Sequence, residues 1–282
     1  MRFGPLLLFA LLWTGTGEAE SQSQAQPLLA GMDHIPVVVR DLEQAQADFK
    51  TLGFAIKPGR FHADGIRNAH VKFPDGSEIE LITAPAATDA LTSEYRARLE
   101  TGEGPVYFGL YAPDPAALSA RLAAAGFAVS QNSGLVEFAA ASPLHPLFFG
   151  IRQKAPTDRP EHFAHANGAL RLSGLWVRDL DGEKNLLSKL DVKLDTAKPC
   201  GPLRGPVTAA HLPEGNLLLV KPQTGTGNVA AAQVEVRSLD AVRQILTKQR
   251  IALREYPACD PASIWVPPSA AHGIWLQFAQ VH

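Results

Sequence analysis

The sequence predicts an α+β fold built from four βαβββ modules that assemble as two pairs. Three observations predict it. Strand-like segments alternate apolar and polar residues with a period of two. Amphipathic helical segments each follow a capping residue, and those caps, Asp41, Asp114, Asp179 and Ser238, are roughly evenly spaced. The strand-to-helix junction Val37–Leu42 recurs as Leu175–Leu180 and again as Val234–Leu239.

In the first module, Met32–Val39 reads as a strand with Ile35, Val37 and Val39 on one face and His34, Pro36 and Val38 on the other. Asp41 caps a helix whose stripe is Leu42, Ala45, Phe49 and Leu52, and Gln44 stands where a capping box would close. Gly53 ends that helix. Extended segments follow near 54–59 and 68–73, then an Asp75-Gly76 turn and the strand Ser77–Thr83. In that last strand Ile79 and Leu81 oppose Glu78 and Glu80.

The second module reads as a strand over Pro105–Tyr111, a helix capped by Asp114 with Pro115 at its first position, and strands near 127–130, 135–140 and 147–152. The polar, proline-bearing stretch 154–167 reads as a boundary, with His162 and His165 solvated. The third module has Asp179 as cap, Leu180, Leu187 and Leu190 on one helical face, and a closing strand at Asn216–Val220. The fourth has Ser238 as cap, Leu239, Val242 and Leu246 as stripe, and late strands at 264–266 and 274–278.

Composition bounds the function. The chain has 282 residues, 46% apolar and 19% charged, with a formal net charge of −2. That balance gives no basic surface for nucleic acid. Arg2, the apolar run Leu6–Trp13 and the small residues of Gly17-Glu18-Ala19 form a signal segment, with cleavage expected after Ala19 and an uncleaved anchor as the alternative. No later stretch is apolar enough to span a membrane. The expected location is periplasmic or secreted. There an oxidising compartment permits a Cys200–Cys259 disulfide, the alternative being two free thiols.

Parity places an imidazole, His34, and a carboxylate, Glu80, on non-core strand faces. They are either ligands of a divalent metal ion or polar residues lining a wet groove. Asn68, His70 and Lys72 share a polar face, and His62 lies in the turn before them. His62 and Asn68 read as substrate contacts. Arg60 and Arg67 flank the same turn and either clamp a substrate carboxylate or serve as surface charges.

The run Asp33-His34-Ile35-Pro36-Val37-Val38-Val39-Arg40-Asp41-Leu42 resembles the vicinal oxygen chelate (VOC) superfamily of glyoxalase I, bleomycin-resistance proteins and extradiol dioxygenases. So do Gly59–Asn68, Phe73-Pro74-Asp75-Gly76 and Glu78-Ile79-Glu80-Leu81-Ile82, which look most like the glyoxalase-like domain proteins. The motif-level likeness covers Gly31 to about Thr83, with Ile66 standing where that subgroup tends to have Thr. The resemblance implies two glyoxalase/VOC-like domains whose sheets curl into clefts. Their metal ligands come from the first and last strands, here His34 and Glu80. Counting from the caps sets Tyr107, Leu172 and Ala231 at the place of His34. It sets Gly150, Leu219 and Gln277 near that of Glu80, so the second half lacks the ligands of an extradiol dioxygenase.

The expected layout is a signal peptide at 1–19, a leader at 20–30, one domain over 31–154, a linker at 155–167 and a second domain over 168–282. The expected function is a metal-assisted lyase or isomerase of a small carbonyl- or carboxylate-bearing molecule. Glu78 and Glu80 would move protons there, with a divalent ion at His34 and Glu80. The alternative is a small-molecule binding protein of the bleomycin-resistance type.

Overall fold

A computed structural model describes residues 26–152, 154–178, 182–199, 201–221, 227–259 and 261–280. The signal segment, Asp179, Leu180 and Cys200 lie outside the described residues. Cys259 is disulfide-bonded.

Four βαβββ modules are present. The first opens with β1 (Gly31–Met32) and β2 (His34–Val38), runs through α1 (Leu42–Thr51), and closes with β3 (Lys57–Phe61), β4 (Arg67–Lys72) and β5 (Glu78–Thr83). A helix that the sequence reading missed, α2 (Ala90–Thr101), precedes the second module. That module comprises β6 (Gly104–Pro105), β7 (Phe108–Tyr111), α3 (Pro115–Ala124), β8 (Val129–Asn132), β9 (Leu135–Phe138) and β10 (Leu147–Gly150). The third is β11 (Ala169–Arg178), α4 (Glu183–Lys189), β12 (Lys193–Ala197), β13 (Val207–Leu212) and β14 (Gly215–Val220). The fourth is β15 (Val229–Val236), α5 (Leu239–Lys248), β16 (Arg254–Tyr256), β17 (Ser263–Val266) and β18 (Trp275–Gln280).

The helices start where side-chain oxygens satisfy free backbone N–H groups. Asp41 accepts from the Gln44 N–H, Asp114 from those of Ala116 and Ala117, and Ser238 from that of Ala241. The capping box expected at Gln44 does not form, because its amide donates along the helix to Asp48 at 2.8 Å. The third helix departs further: its N-cap is Gly182, not Asp179.

Each opening strand of the first pair is split. Met32 and its neighbour Gly31 pair with β7 of the second module, and the chain crosses at Asp33 to pair β2 with β5 of its own module. The second module does the converse, with β6 pairing on β2 and β7 on β10. Two five-stranded sheets, β3-β4-β5-β2-β6 and β1-β7-β10-β9-β8, are thereby tied together by exchanged strand ends. In the second pair β11 is long enough to pair with both β14 and β15, which makes one mixed eight-stranded sheet.

The parity argument holds. Ile35, Val37, Val39, Ile79 and Leu81 are fully buried on the helix side of the sheet, with Leu42, Ala45 and Phe49 of α1. The same cluster runs on through Leu118, Leu187, Leu246 and Phe278, and Phe54 stacks on Phe278 at 5.8 Å. One apolar core therefore spans both pairs. The stretch expected to be a solvated linker is packed into this arrangement. His165 is buried, its Nδ1 accepting from the Ala55 N–H at 3.0 Å and its Nε2 lying 2.9 Å from the Lys72 carbonyl. Its aromatic neighbours Phe54 and Phe73 explain why an imidazole belongs there.

Candidate functional site

The face of the first pair's sheets turned away from the four module helices is the cleft. Strand pairing sets His34 beside Glu78, Pro36 beside Glu80, and His70 beside Glu80, so this face carries the polar members of β2, β4 and β5. His34 Nε2 lies 4.0 Å from Glu80 Oε2. That is too long for a hydrogen bond. It is close to twice the roughly 2.0–2.2 Å that separates one metal ion from a nitrogen or oxygen ligand.

Both side chains are braced from behind. Asp33 Oδ2 is 2.8 Å from His34 Nδ1. An ionised carboxylate only accepts, so Nδ1 carries a hydrogen and Nε2 is the nitrogen presented to the cleft. Asn68 Nδ2 donates to Glu80 Oε1 at 2.6 Å, which leaves Oε2 facing His34. Burial works against a charged imidazole here, but Asp33 outweighs it, aided by Glu78 and Glu80, and raises the His34 pKa to about 9. Gly150 makes the bracing possible, because a Cβ there would meet Asp33 Oδ2 at 2.3 Å.

Glu78, the strand neighbour of His34, is engaged by other groups. Its carboxylate contacts His70 Nδ1 and Lys72 Nζ, both at 3.3 Å. Burial alone would raise its pKa, but the bond to His70 and the nearby cations lower it to about 2. Glu78 lines a polar cavity of about 270 Å³ with Asp33, Lys72 and Arg152, and His34 borders both this cavity and the cleft.

The other sequence-derived candidates are scattered. Asn68 braces Glu80 from behind and itself lines the outer groove rather than the cleft cavity. Arg67 leaves the cleft to pair with Glu43 of α1 and lies over the Phe61 ring at 5.1 Å. Arg60 and Arg67 border a shallow outer groove with Leu42 and Gln46. His62 closes the β3–β4 turn through its backbone N–H to the Ile66 carbonyl and does not line the cleft.

The second wall comes from residues the sequence reading did not use. Tyr107 is the cap-counted counterpart of His34. Its hydroxyl donates to Glu94 of α2, and His145 Nε2 lies 3.1 Å from the same carboxylate. Burial and the bond to Glu94 push the Tyr107 phenol far above its usual range, so it stays protonated and is a donor, not an anionic ligand. The counterpart of Glu80 is Phe148, not Gly150: Phe148 pairs with Gly109 as Glu80 pairs with Pro36. Gly109 leaves room for that ring, since a Cβ there would come within 2.3 Å of it. The Phe148 ring lies 4.7 Å from the His34 ring.

Helix α2 closes the end of the cleft. Asp89 and Thr92 cap it reciprocally, the one local signal that could have revealed it. Its residues Ala90, Leu91, Glu94 and Tyr95 line a cavity of about 360 Å³ with His34, Pro36, Glu80, Tyr107, Leu135, Glu137, Ala140, His145 and Phe148. A cavity about twice as large, about 730 Å³, lies between α2 and the start of α1; its lining includes Arg40, Arg67 and Arg96 with Asp41, Glu43 and Glu100, and neither His34 nor Glu80 borders it.

Whether these residues suit a metal follows from the donors. His34 Nε2 and Glu80 Oε2 suit two positions of one ion. The second module offers a protonated phenol and a phenyl ring at the matching places. Among the described residues no group of three or more His, Cys, Asp or Glu side chains is arranged to hold an ion. The donor set therefore fits only a two-ligand, water-rich octahedral site, not a three-ligand zinc site.

The profile of a glyoxalase-like domain matches residues 32–187, more than half of the chain. No curated protein matches it. Among solved structures, the 2,3-dioxygenase LapB from Pseudomonas sp. KL28 is similar at a TM-score of 0.62 and 13% identity, covering 91% of this chain and 94% of that one. A catechol 2,3-dioxygenase aligns at 0.61 and 14%, covering 90% and 88%. A hypothetical protein from Staphylococcus aureus aligns at 0.58 and 13%, covering 90% and 100%. At such identities these structures speak for the fold alone. With its four βαβββ modules and the matched domain, the chain belongs to the glyoxalase-like domain family of the vicinal oxygen chelate superfamily.

Proposed function

We propose that the chain is an exported glyoxalase-like enzyme, a lyase or isomerase, that acts on a small carbonyl-bearing molecule in the cleft of the first pair. One observation carries this reading. His34 Nε2 and Glu80 Oε2 face each other at 4.0 Å on the floor of an aromatic-walled cavity, each fixed from behind by Asp33 and Asn68. Such bracing orients proton-transferring or metal-ligating atoms before a substrate arrives. Glu80 Oε2 takes a proton from the carbon beside the carbonyl. His34 Nε2–H steadies the charge that develops on the carbonyl oxygen. Phe148 and Tyr95 exclude water from one side, and Tyr107 holds Glu94 in place across the cleft.

A divalent ion, when bound, would be held by His34 Nε2 and Glu80 Oε2 and would supply Lewis-acid polarisation of the carbonyl. Ion and proton compete for the same lone pairs, so the two roles separate by experiment. Elemental analysis of the purified protein after incubation with Mn²⁺, against His34→Ala, is expected to show metal retained by the first and lost from the second. Equal metal in both would remove the assigned ligands. Turnover that survives chelation would point to the proton pair alone.

A second reading is favoured by Tyr107 and Phe148. With half of the usual ligand positions filled by aromatic residues, the cleft suits sequestering a ligand without chemistry. Tight binding of a ligand that is recovered unchanged would favour it. Export rests on the Arg2–Ala19 segment, and N-terminal sequencing of protein from the native cell is expected to find Glu20 first.

A further inference from the structure

The cavity is acidic, and this says what kind of molecule it takes. Its lining includes the carboxylates Glu80, Glu94 and Glu137, the imidazoles of His34 and His145, and no lysine or arginine. Even with both imidazoles charged, one carboxylate is left in excess. The two arginines of the neighbouring turn do not correct this, because Arg67 is paired with Glu43 and both border the outer groove. Lys72, the nearest lysine of the same sheet face, is taken up by Glu78 and Asp158.

The carboxylates are also unevenly placed. Glu80 shares the floor with His34, whereas Glu94 and Glu137 belong to α2 and β9 on the other side. Between them lie the rings of Phe148, Tyr95 and Tyr107, all largely buried, and at the mouth Leu91 is 39% exposed, a large apolar side chain left facing solvent. Apolar walls between two polar ends suit a ring-sized body with a reactive group at one end and a polar head at the other.

We infer that the substrate's body is apolar and its head a protonated amine, seated against Glu94 and Glu137, so that the cleft selects against carboxylate-bearing molecules. The inference rests on the cleft reading above and narrows its substrate class. An ammonium head there meets two carboxylates and the negative faces of the adjoining rings, both attractive to a cation. A carboxylate head would meet like charge and no guanidinium partner.

The test uses three probes with one ring and different heads: benzylamine, benzyl alcohol and benzoate, titrated calorimetrically into the full chain. Benzylamine is expected to bind at least about tenfold more tightly than benzoate, with an affinity that falls as salt rises. In Glu137→Gln, a change at the exposed rim that leaves the Glu94–Tyr107–His145 contacts in place, the gap between the two is expected to narrow. Glu94→Gln, checked for folding by circular dichroism, is expected to narrow it further. Benzoate binding as well as or better than benzylamine overturns the inference. If that benzoate binding is lost in His34→Ala, the cleft reading survives without it. If none of the three binds at millimolar concentration, both fall.

Discussion

The concave face of the first pair carries His34, Asn68 and Glu80 above an accessible cavity, whereas the same face of the second pair carries Trp176, Trp265 and Trp275. In the second pair these rings pack edge to face, at 5.7 Å between Trp176 and Trp265 and 6.3 Å between Trp265 and Trp275, with Leu203, Val207 and Ala231 around them. Gln277 is the fourth-module counterpart of Glu80, but it is buried and accepts from Trp176 Nε1 at 2.9 Å. Ala231, the counterpart of His34, is fully buried. One module design thus yields a site where two sheets are tied through exchanged strand ends, and a packed interior where β11 and β15 close the sheet. Sheet continuity brings the second face together, and the packed tryptophans with the buried Ala231 stabilise that closure.

The comparison breaks most readily at Trp265. Trp265→Ala removes a fully buried ring and is expected to cost about 3–5 kcal/mol in urea denaturation, with ligand and metal binding at His34 unchanged. A loss of binding in that variant would mean that the second face takes part in the first face's work. Gln277→Ala is expected to cost about 1–3 kcal/mol, because it strands the buried Trp176 N–H. A stability equal to wild type would show that the polar remnant is not structural.

Effects on the first face should appear in binding before stability. Glu80→Gln keeps the Asn68 bond available but removes the charge facing His34, and it is expected to weaken Mn²⁺ binding by more than about tenfold, or about 1.4 kcal/mol, in a titration. Its thermal midpoint should stay near that of wild type. A collapse of the midpoint with binding intact would make Glu80 a structural residue.

The first face also predicts a pH dependence of the metal-free protein. His34 has its pKa raised from 6.5 to about 9, so its contribution is fully present below 6.5 and is lost as pH rises through 9. Glu78 has its pKa lowered from 4.5 to about 2, so its contribution is present above 4.5 and is lost as pH falls through 2. Stability from these two groups is therefore greatest between about 4.5 and 6.5. Asp33→Asn should flatten the alkaline limb and leave the acid limb. An alkaline limb that persists in that variant would assign it to another group.

Much of the fold was legible because it is written locally. Asp41, Asp114 and Ser238 cap through bonds to N–H groups two or three residues away, and the period-two alternation of β2 and β5 fixes which side chains meet the core. The floor of the cleft, His34 and Glu80, with Asn68 bracing it, followed from that parity. Its far wall did not. Helix α2 buries only Thr92, Tyr95 and Leu99, too thin and too polar a stripe to stand out, and Glu94 and Tyr95 were hidden with it. Phe148 was missed because counting from caps assumes equal loops, whereas strand register decides the counterpart of Glu80. His165 looked like a solvated linker residue because its partners, the backbone of Ala55 and Lys72, are more than ninety residues away.

The exchanged strand ends at Asp33 and between Pro105 and Phe108 have a consequence for ancestry. A lone copy of the first module would leave the edge of β2 without β6, and would carry a β1 with no β7 to receive it. Two identical copies could satisfy each other, each lending its opening residues to the other's sheet. The junction through α2 would then be a later covalent convenience, fusing in one gene what a symmetric dimer of half-length chains had built. Fusion would also free the two copies to differ, as they do at His34 and Glu80 in the first module against Tyr107 and Phe148 in the second.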